Sequence, residues 1–288
     1  MNYEITGKTK LTALLGSPVA HSISPQMHNE AFRHLGLDYV YLAFDVTPEQ
    51  LEETVMGLKA VGICGFNLTM PLKVSILPLL DELTPAAKLA HAVNTVIVKN
   101  NRLIGHTTDG IGYMRSVADA GFDIIGKKMT LLGAGGAATA ICVQAALDGV
   151  AAIDILKRRN ETWNATAAFC KNVATETNCR IRLLDIEDST QVEESISQSA
   201  ILTNATNVGM YPNCKNSPLK DTIVLRKDLI VSDIIYNPRQ TALLTLAQQS
   251  GCPYFNGLYM LLYQGAAAFT CWTGEEMPIS LIKAKYFS

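Results

Sequence analysis

The chain has 288 residues, a length for one large domain or two moderate ones, and 24 Lys+Arg against 26 Asp+Glu leave a formal charge of −2. That balance excludes a basic nucleic-acid binder, which needs surplus cations against phosphates, and 48% hydrophobic with 17% charged residues excludes a disordered chain. Seven scattered cysteines without a C-x-x-C pair, and a start without a secretory pattern, predict reduced thiols in a cytoplasm, with no disulfide frame and no metal site.

Short β-type runs alternate with amphipathic helical patterns, the signature of an α/β chain built on mostly parallel sheet. In the first part, strands are predicted at Leu11–Leu15, Tyr39–Phe44, Gly62–Asn67 and Asn94–Val98, with helices at Pro25–Leu35, Pro48–Lys59 and Pro71–Leu80. Proline recurs near the helix starts, where its missing N–H costs nothing. After a boundary near Thr108–Gly110, further strands are expected at Met129–Leu132, Ile153–Leu156, Arg180–Leu184, Ile201–Asn204 and Ile230–Ile234, with a helix at Thr162–Thr177. The final segment predicts two helices parted at Thr273–Gly274, the second opened by Pro278. The first of these is apolar nearly all round but is interrupted by Gln264 and too short to span a bilayer, so no membrane partner is expected. Burial is satisfied if it packs back on the N-terminal domain and lines a cleft. The expected organisation is an N-terminal α/β domain over 1–110, a second α/β domain over 111–255, and C-terminal helices over 256–288 that return to the first.

The run Met129–Leu132 leads into Gly133-Ala134-Gly135-Gly136-Ala137-Ala138 and then a helix former, a G-x-G-x-x-A pattern of the Rossmann dinucleotide-binding type. Gly133 allows the tight turn, Gly135 lets backbone approach a pyrophosphate, and Ala138 allows close packing of helix on strand. The helix N-terminus offers free N–H groups to the phosphates. The bare pattern also fits a tight turn without ligand. At the end of the next strand, where an acidic residue would bind a ribose hydroxyl, the chain has Lys157-Arg158-Arg159-Asn160; Asp154 comes too early. Cations there suit a 2′-phosphate and favour NADP(H), with NAD(H) the alternative.

On the other side, polar residues gather where strands end. If Pro71 is the first residue of its helix, Lys73 sits in the first turn, where the dipole disfavours a cation and suits proton transfer. Read alone, Lys73 also fits a solvated lysine, Asp109 and Ser24 fit helix caps, and Asn94 fits a backbone contact.

Taken together, S-x-S-P at Ser22–Pro25, N-x-T-x-P-x-K at Asn67–Lys73, A-V-N-T at Ala92–Thr95, T-D-G at Thr108–Gly110, the glycine run and G-x-x-M-L-x-x-Q-G at Gly257–Gly265 resemble the shikimate/quinate dehydrogenases over nearly the whole length. Asp81–Lys88 resembles the subgroup that accepts quinate as well as shikimate. The resemblance implies a substrate-binding and catalytic domain followed by a Rossmann domain for NADP or NAD, and reversible hydride transfer to and from a ring carbon. It implies Lys73 and Asp109 as the catalytic pair. Ser22 and Ser24 would bind the substrate carboxylate, and Thr69, Asn94 and Gln264 the ring hydroxyls, with Asn67 beside them. Tyr236, Thr206, Val208, Met210, Gly257 and Met260 would lie near the nicotinamide, Tyr236 also touching substrate. Gly133, Ala134, Gly135, Gly136 and Ala137 would hold the pyrophosphate. Two departures stand out: Thr107 where Asn is usual before T-D-G, and Lys-Arg-Arg-Asn where Asn-Arg-Thr is usual. The serine pair does not identify the ring, so another cyclic hydroxy-acid dehydrogenase, such as an aminoshikimate enzyme, remains open. A non-catalytic sensor would not need Lys73 and Asp109, and a folate-linked dehydrogenase lacks support from S-x-S and the late Gln-Gly. A homodimer is the expected assembly.

Overall fold

The computed structural model describes residues 4–220 and 222–287. The elements of the first part are β1 (Lys10–Gly16), α1 (Ser24–Leu35), β2 (Tyr39–Asp45), α2 (Leu51–Ala60), β3 (Gly65–Leu68), α3 (Leu72–Ser75), β4 (Glu82–Leu83), α4 (Pro85–Ala90), β5 (Thr95–Lys99), β6 (Arg102–His106) and α5 (Asp109–Asp119). The rest are β7 (Lys128–Leu132), α6 (Gly136–Leu147), β8 (Ala152–Lys157), α7 (Trp163–Glu176), β9 (Arg180–Asp185), α8 (Ser189–Ser197), β10 (Ile201–Asn204), β11 (Ile230–Asp233), α9 (Ala242–Gln249), β12 (Tyr254–Phe255), α10 (Leu258–Thr273) and α11 (Ile279–Tyr286). The chain forms two compact units: Met1–Asp109 with Leu262–Ser288, and Gly110–Leu261. Among the described residues no helix is long and apolar enough to cross a membrane.

The sheet of the first unit runs β2-β1-β3-β5-β6-β4. The β1/β2, β1/β3 and β4/β6 pairs are parallel, as expected of a mostly parallel sheet, while β3/β5 and β5/β6 form an antiparallel insertion. The cause is local. Asn100 and Asn101 both take positive φ (51° and 62°), the pair of conformations a two-residue hairpin requires, and asparagine tolerates them well. Two helical expectations change. The run Pro71–Leu80 gives only the single turn of α3 and a 3₁₀ turn at Leu77–Leu79, because Pro78 removes an amide donor and crowds the carbonyl four residues back. Gly62 is not in β3; at φ +78° it closes α2.

Leu15, Phe66, Leu68, Leu72, Ile76, Val93 and Val96 belong to one buried apolar core cluster. Elsewhere in the unit Phe32, Tyr41, Phe269 and Trp272 surround His28, whose ring stacks on Tyr41 at 4.3 Å. Both His28 ring nitrogens are buried without a hydrogen bond among the described residues. Burial pushes the imidazole down to about 3, so His28 is a neutral, packed ring. Trp272 fixes α10: its Nε1 donates to the Val96 carbonyl at 3.0 Å, and a Cβ on Gly65 would lie 2.3 Å from that nitrogen.

The second unit is an all-parallel sheet ordered β12-β11-β10-β7-β8-β9. Counted from β7, this is the doubly wound order 3-2-1-4-5-6, whose switch point lies between β7 and β10. Below that rim Asp154, in β8 and 1% exposed, receives Lys128 Nζ at 2.8 Å, Arg182 Nη2 at 2.7 Å and Ser195 Oγ at 2.8 Å. One carboxylate thereby ties β7, β8, β9 and α8 together. Removing it strands Lys128 and the Arg182 fork beside a buried void, so Asp154→Ala is expected to lower the unfolding free energy by about 3 kcal/mol, read from denaturant unfolding.

Candidate active site

In the first unit the carboxyl ends of β3 and β6, the start of α3, Tyr41 of β2 and Gln264 of α10 bring a connected set of polar side chains together. Lys73 and Asp109 form an ion pair, Nζ to Oδ2 2.5 Å, with side chains 19% and 7% exposed. The other oxygen, Oδ1, accepts from Asn94 Nδ2 at 2.8 Å. Asn94 is held in turn: its Oδ1 accepts from the Thr108 amide at 2.7 Å, and its Nδ2 also approaches Gln264 Oε1 at 3.3 Å. Asn67 donates to the Asn94 carbonyl and to Thr95 Oγ1, both at 3.0 Å, and accepts from the Tyr41 hydroxyl at 2.9 Å. This spends both of its amide hydrogens and leaves one lone pair.

Two expectations about these residues change. Pro71 precedes α3 and is not its first residue, and a one-turn helix carries little aligned dipole. What places Lys73 is its ion pair, together with the bond from the Val93 amide to its own carbonyl. Asp109 is the first residue of α5, with both oxygens engaged by side chains. Thr108, not Thr107, supplies the contact to Asn94.

Ser22 and Ser24 lie at the start of α1, where Ser22 Oγ accepts from the Ser24 amide at 3.2 Å. The Ser24 hydroxyl also bonds the Tyr41 phenol, whose burial raises its pKa. Thr69 follows β3, its methyl against Gly16. Tyr41 and Thr95 escaped sequence reading because each looks like an ordinary inward strand residue; the signal was a buried hydroxyl that must find a partner.

In the second unit Gly133 takes φ +102°, and a Cβ there would meet the Thr206 methyl at 2.8 Å, so only glycine fits. The loop Gly133–Gly135 joins β7 to α6, and Ala137 lies in the first turn of α6. Nothing lies within 4 Å of a Cβ built on Gly135, and the first turn of α6 holds no acidic residue. A backbone cradle at a helix N-terminus with open space above it fits a pyrophosphate. The basic residues at the end of β8 are unequal. Lys157 Nζ turns to Thr162 Oγ1 at 2.5 Å and Thr166 Oγ1 at 3.2 Å. Arg159 pairs with Asp185 at 3.2 Å and lies 4.5 Å over the Trp163 ring. Asn160 accepts from Thr162, and Arg158 is exposed with no hydrogen bond or ion pair among the described residues.

The loop after β10 carries Thr206, Val208 and Met210, and the loop after β11 carries Tyr236, whose phenol burial pushes up. Gly257 sits where a Cβ would strike the Ile234 carbonyl, and Met260 is buried one turn into α10. Sequence reading missed Asp233, at the end of β11. Its carboxylate accepts from Asn204 Nδ2 at 3.1 Å, the Ile235 amide at 3.0 Å and Thr241 Oγ1 at 2.8 Å. Burial outweighs these bonds and raises it to about 6. Among the described residues no group of His, Cys, Asp or Glu suits a metal ion.

Residues 14–96 match the family described as shikimate dehydrogenase substrate binding domain, and 257–285 that described as shikimate 5′-dehydrogenase C-terminal domain. The chain is 51% identical over 283 residues to the shikimate dehydrogenase (NADP(+)) of Listeria innocua, covering 98% of this chain and 97% of that one. Among solved structures it is similar to shikimate 5-dehydrogenase from Listeria monocytogenes in complex with shikimate and NAD, with TM-score 0.92, 50% identity and coverage of 99% and 98% of the two chains. Quinate dehydrogenase from Corynebacterium glutamicum in complex with NAD superposes at TM-score 0.84 and 26% identity, with coverage of 97% and 99%.

The position of Asp233 has a consequence for stability. With the folded-state pKa raised from 3.8 to about 6, the protonated form favours the fold. Its contribution is therefore present below pH ~4 and lost as pH rises through about 6, a swing of about 3 kcal/mol. Unfolding free energies measured across that window are expected to fall more steeply in the natural chain than in Asp233→Asn, which has nothing to ionise.

Proposed function

The chain belongs to the shikimate dehydrogenase family, and from that premise we propose that it interconverts shikimate and 3-dehydroshikimate with a nicotinamide cofactor, NADP(H) ahead of NAD(H). The observation that carries this reading is the Lys73–Asp109 pair at 2.5 Å, backed by Asn94. An alcohol becomes a ketone only if its hydroxyl proton leaves as the hydride does, and the reverse reaction needs the same proton returned. Lys73 and Asp109 are the acid/base pair for that proton, and Asn94 keeps Asp109 turned toward Lys73. Thr69, Asn67 and Gln264 orient the ring hydroxyls. Ser22 and Ser24 hold the carboxylate, so that the ring presents one carbon for reaction.

When bound, the cofactor supplies the carbon that accepts or returns hydride. Gly133–Ala137 and the N-terminus of α6 would hold its pyrophosphate. Lys157, Arg158, Arg159 and Asn160 would surround the adenosine end, with Arg158 the cation left for a 2′-phosphate. Thr206, Val208, Met210, Tyr236, Gly257 and Met260 would receive the nicotinamide half. The Listeria innocua relative is named for NADP(+), while the Listeria monocytogenes structure holds NAD, which supports acceptance of both. The Asp81–Lys88 segment and the quinate dehydrogenase likeness support quinate as a second substrate. In the same reading the first unit binds substrate and the second binds cofactor, and the enzyme works in the cytoplasm as a homodimer.

The absorbance of reduced nicotinamide, followed with shikimate and quinate each paired with NADP⁺ and NAD⁺, tests the reading; silence in all four pairings from folded protein overturns it. Lys73→Ala is expected to lower kcat by roughly 10²–10⁴-fold with little change in shikimate KM. Arg158→Ala is expected to raise KM for NADP⁺ about tenfold and leave that for NAD⁺ nearly unchanged, since only the former carries the extra phosphate.

A further inference from the structure

Resting on the reading of the second unit as the cofactor unit, we infer that Asp233 is a positioning residue for the nicotinamide half of the cofactor: it sets both loops beside that half through bonds that its two oxygens accept. The loop after β10 reaches it through Asn204, whose Nδ2 approaches Oδ1 and Oδ2, both at 3.1 Å. The same asparagine shapes its own loop. Its Oδ1 accepts from the Thr206 amide at 3.0 Å and hydroxyl at 2.7 Å, and its Nδ2 donates to the Val208 carbonyl at 3.2 Å. The loop after β11 reaches Asp233 through the Ile235 amide. The start of α9, where that loop ends, reaches it through Thr241, which also caps the helix at Leu244.

Asp233 is 1% exposed, so its bonds to these partners are made out of reach of bulk solvent. The amides of Asn204 and Ile235 can only donate toward it. An asparagine at 233 has the same shape but one acceptor oxygen, so its own NH₂ would face a donor on one side. The clamp on the loop after β10 would then loosen, because the Asn204 amide keeps only its Oδ1 contact and the Thr241 hydroxyl must turn to accept, while the sheet beneath stays intact. Arg158 and its neighbours stand at β8, on a different strand, with no bond to this cluster. The adenosine end is therefore independent of Asp233.

The test is equilibrium binding by titration calorimetry to the full-length chain, natural and Asp233→Asn, with three probes: NADP⁺, NAD⁺ and adenosine 2′,5′-bisphosphate. The expected result is about tenfold weaker binding of both dinucleotides, with the bisphosphate unchanged. In turnover, cofactor KM should rise while shikimate KM does not. Equal weakening of all three probes marks a merely structural role and overturns the inference, as does unchanged binding of all three. A natural chain that binds none of the probes overturns the parent reading instead. If Asp233→Asn does not fold, Thr241→Val removes one donor and keeps the carboxylate. It should weaken dinucleotide binding in the same selective way, with Thr241→Ser restoring it, and failure of that pattern overturns the inference.

Discussion

A carboxylate taken out of water must be met by donors, and much of the first unit follows from meeting that need at Asp109. One oxygen takes the Lys73 ammonium and the other takes the Asn94 amide. Lys73 reaches Asp109 from the first turn of α3, which follows β3. Asn94 has to be anchored by Thr108 and by the hairpin strands on either side of it. The antiparallel insertion β5/β6 is the device that brings residues 94 and 108 face to face, which a uniformly parallel sheet would not do.

The second unit repeats the solution with different chemistry. Asp233 is also a buried acid partnered by an asparagine from a neighbouring strand end, here Asn204, but no cation stands beside it in its hydrogen-bond set. In the first pair a lysine ammonium stands against the acid; in the second, only neutral donors surround it. The two Asp–Asn pairs thus differ in one respect, the cation that completes the first and is missing from the hydrogen-bond set of the second.

Much of this was legible in the sequence. The glycine run after Met129–Leu132, the alternation of strands and helices, and the clustered polar motifs each rest on short-range rules, and Lys73, Asn94, Asp109 and Gln264 do come together. Other features depend on partners far along the chain. That Arg159 is engaged by Asp185 and Trp163 while Arg158 is not is set by the end of β9 and the face of α7. Tyr41 reads as a core tyrosine until Asn67 and Ser24 are seen against its hydroxyl. Asp233 reads as a strand-end acid until three donors, from Asn204, Ile235 and Thr241, converge on it. The length of α3 is set locally, by Pro78, which has no amide to continue the turn that the apolar pattern of 71–80 suggests.

The first unit is discontinuous: it closes only with the segment from Leu262 onward, whereas the second is one unbroken stretch. On a ribosome the second unit can therefore assemble as soon as its own residues emerge. The first must wait, with Gly65 and the Val96 carbonyl uncovered, until Trp272 is synthesised to lie against them. The half of the chain made first is the half completed last, so for most of its synthesis the Lys73 side is the part a chaperone would meet unfinished.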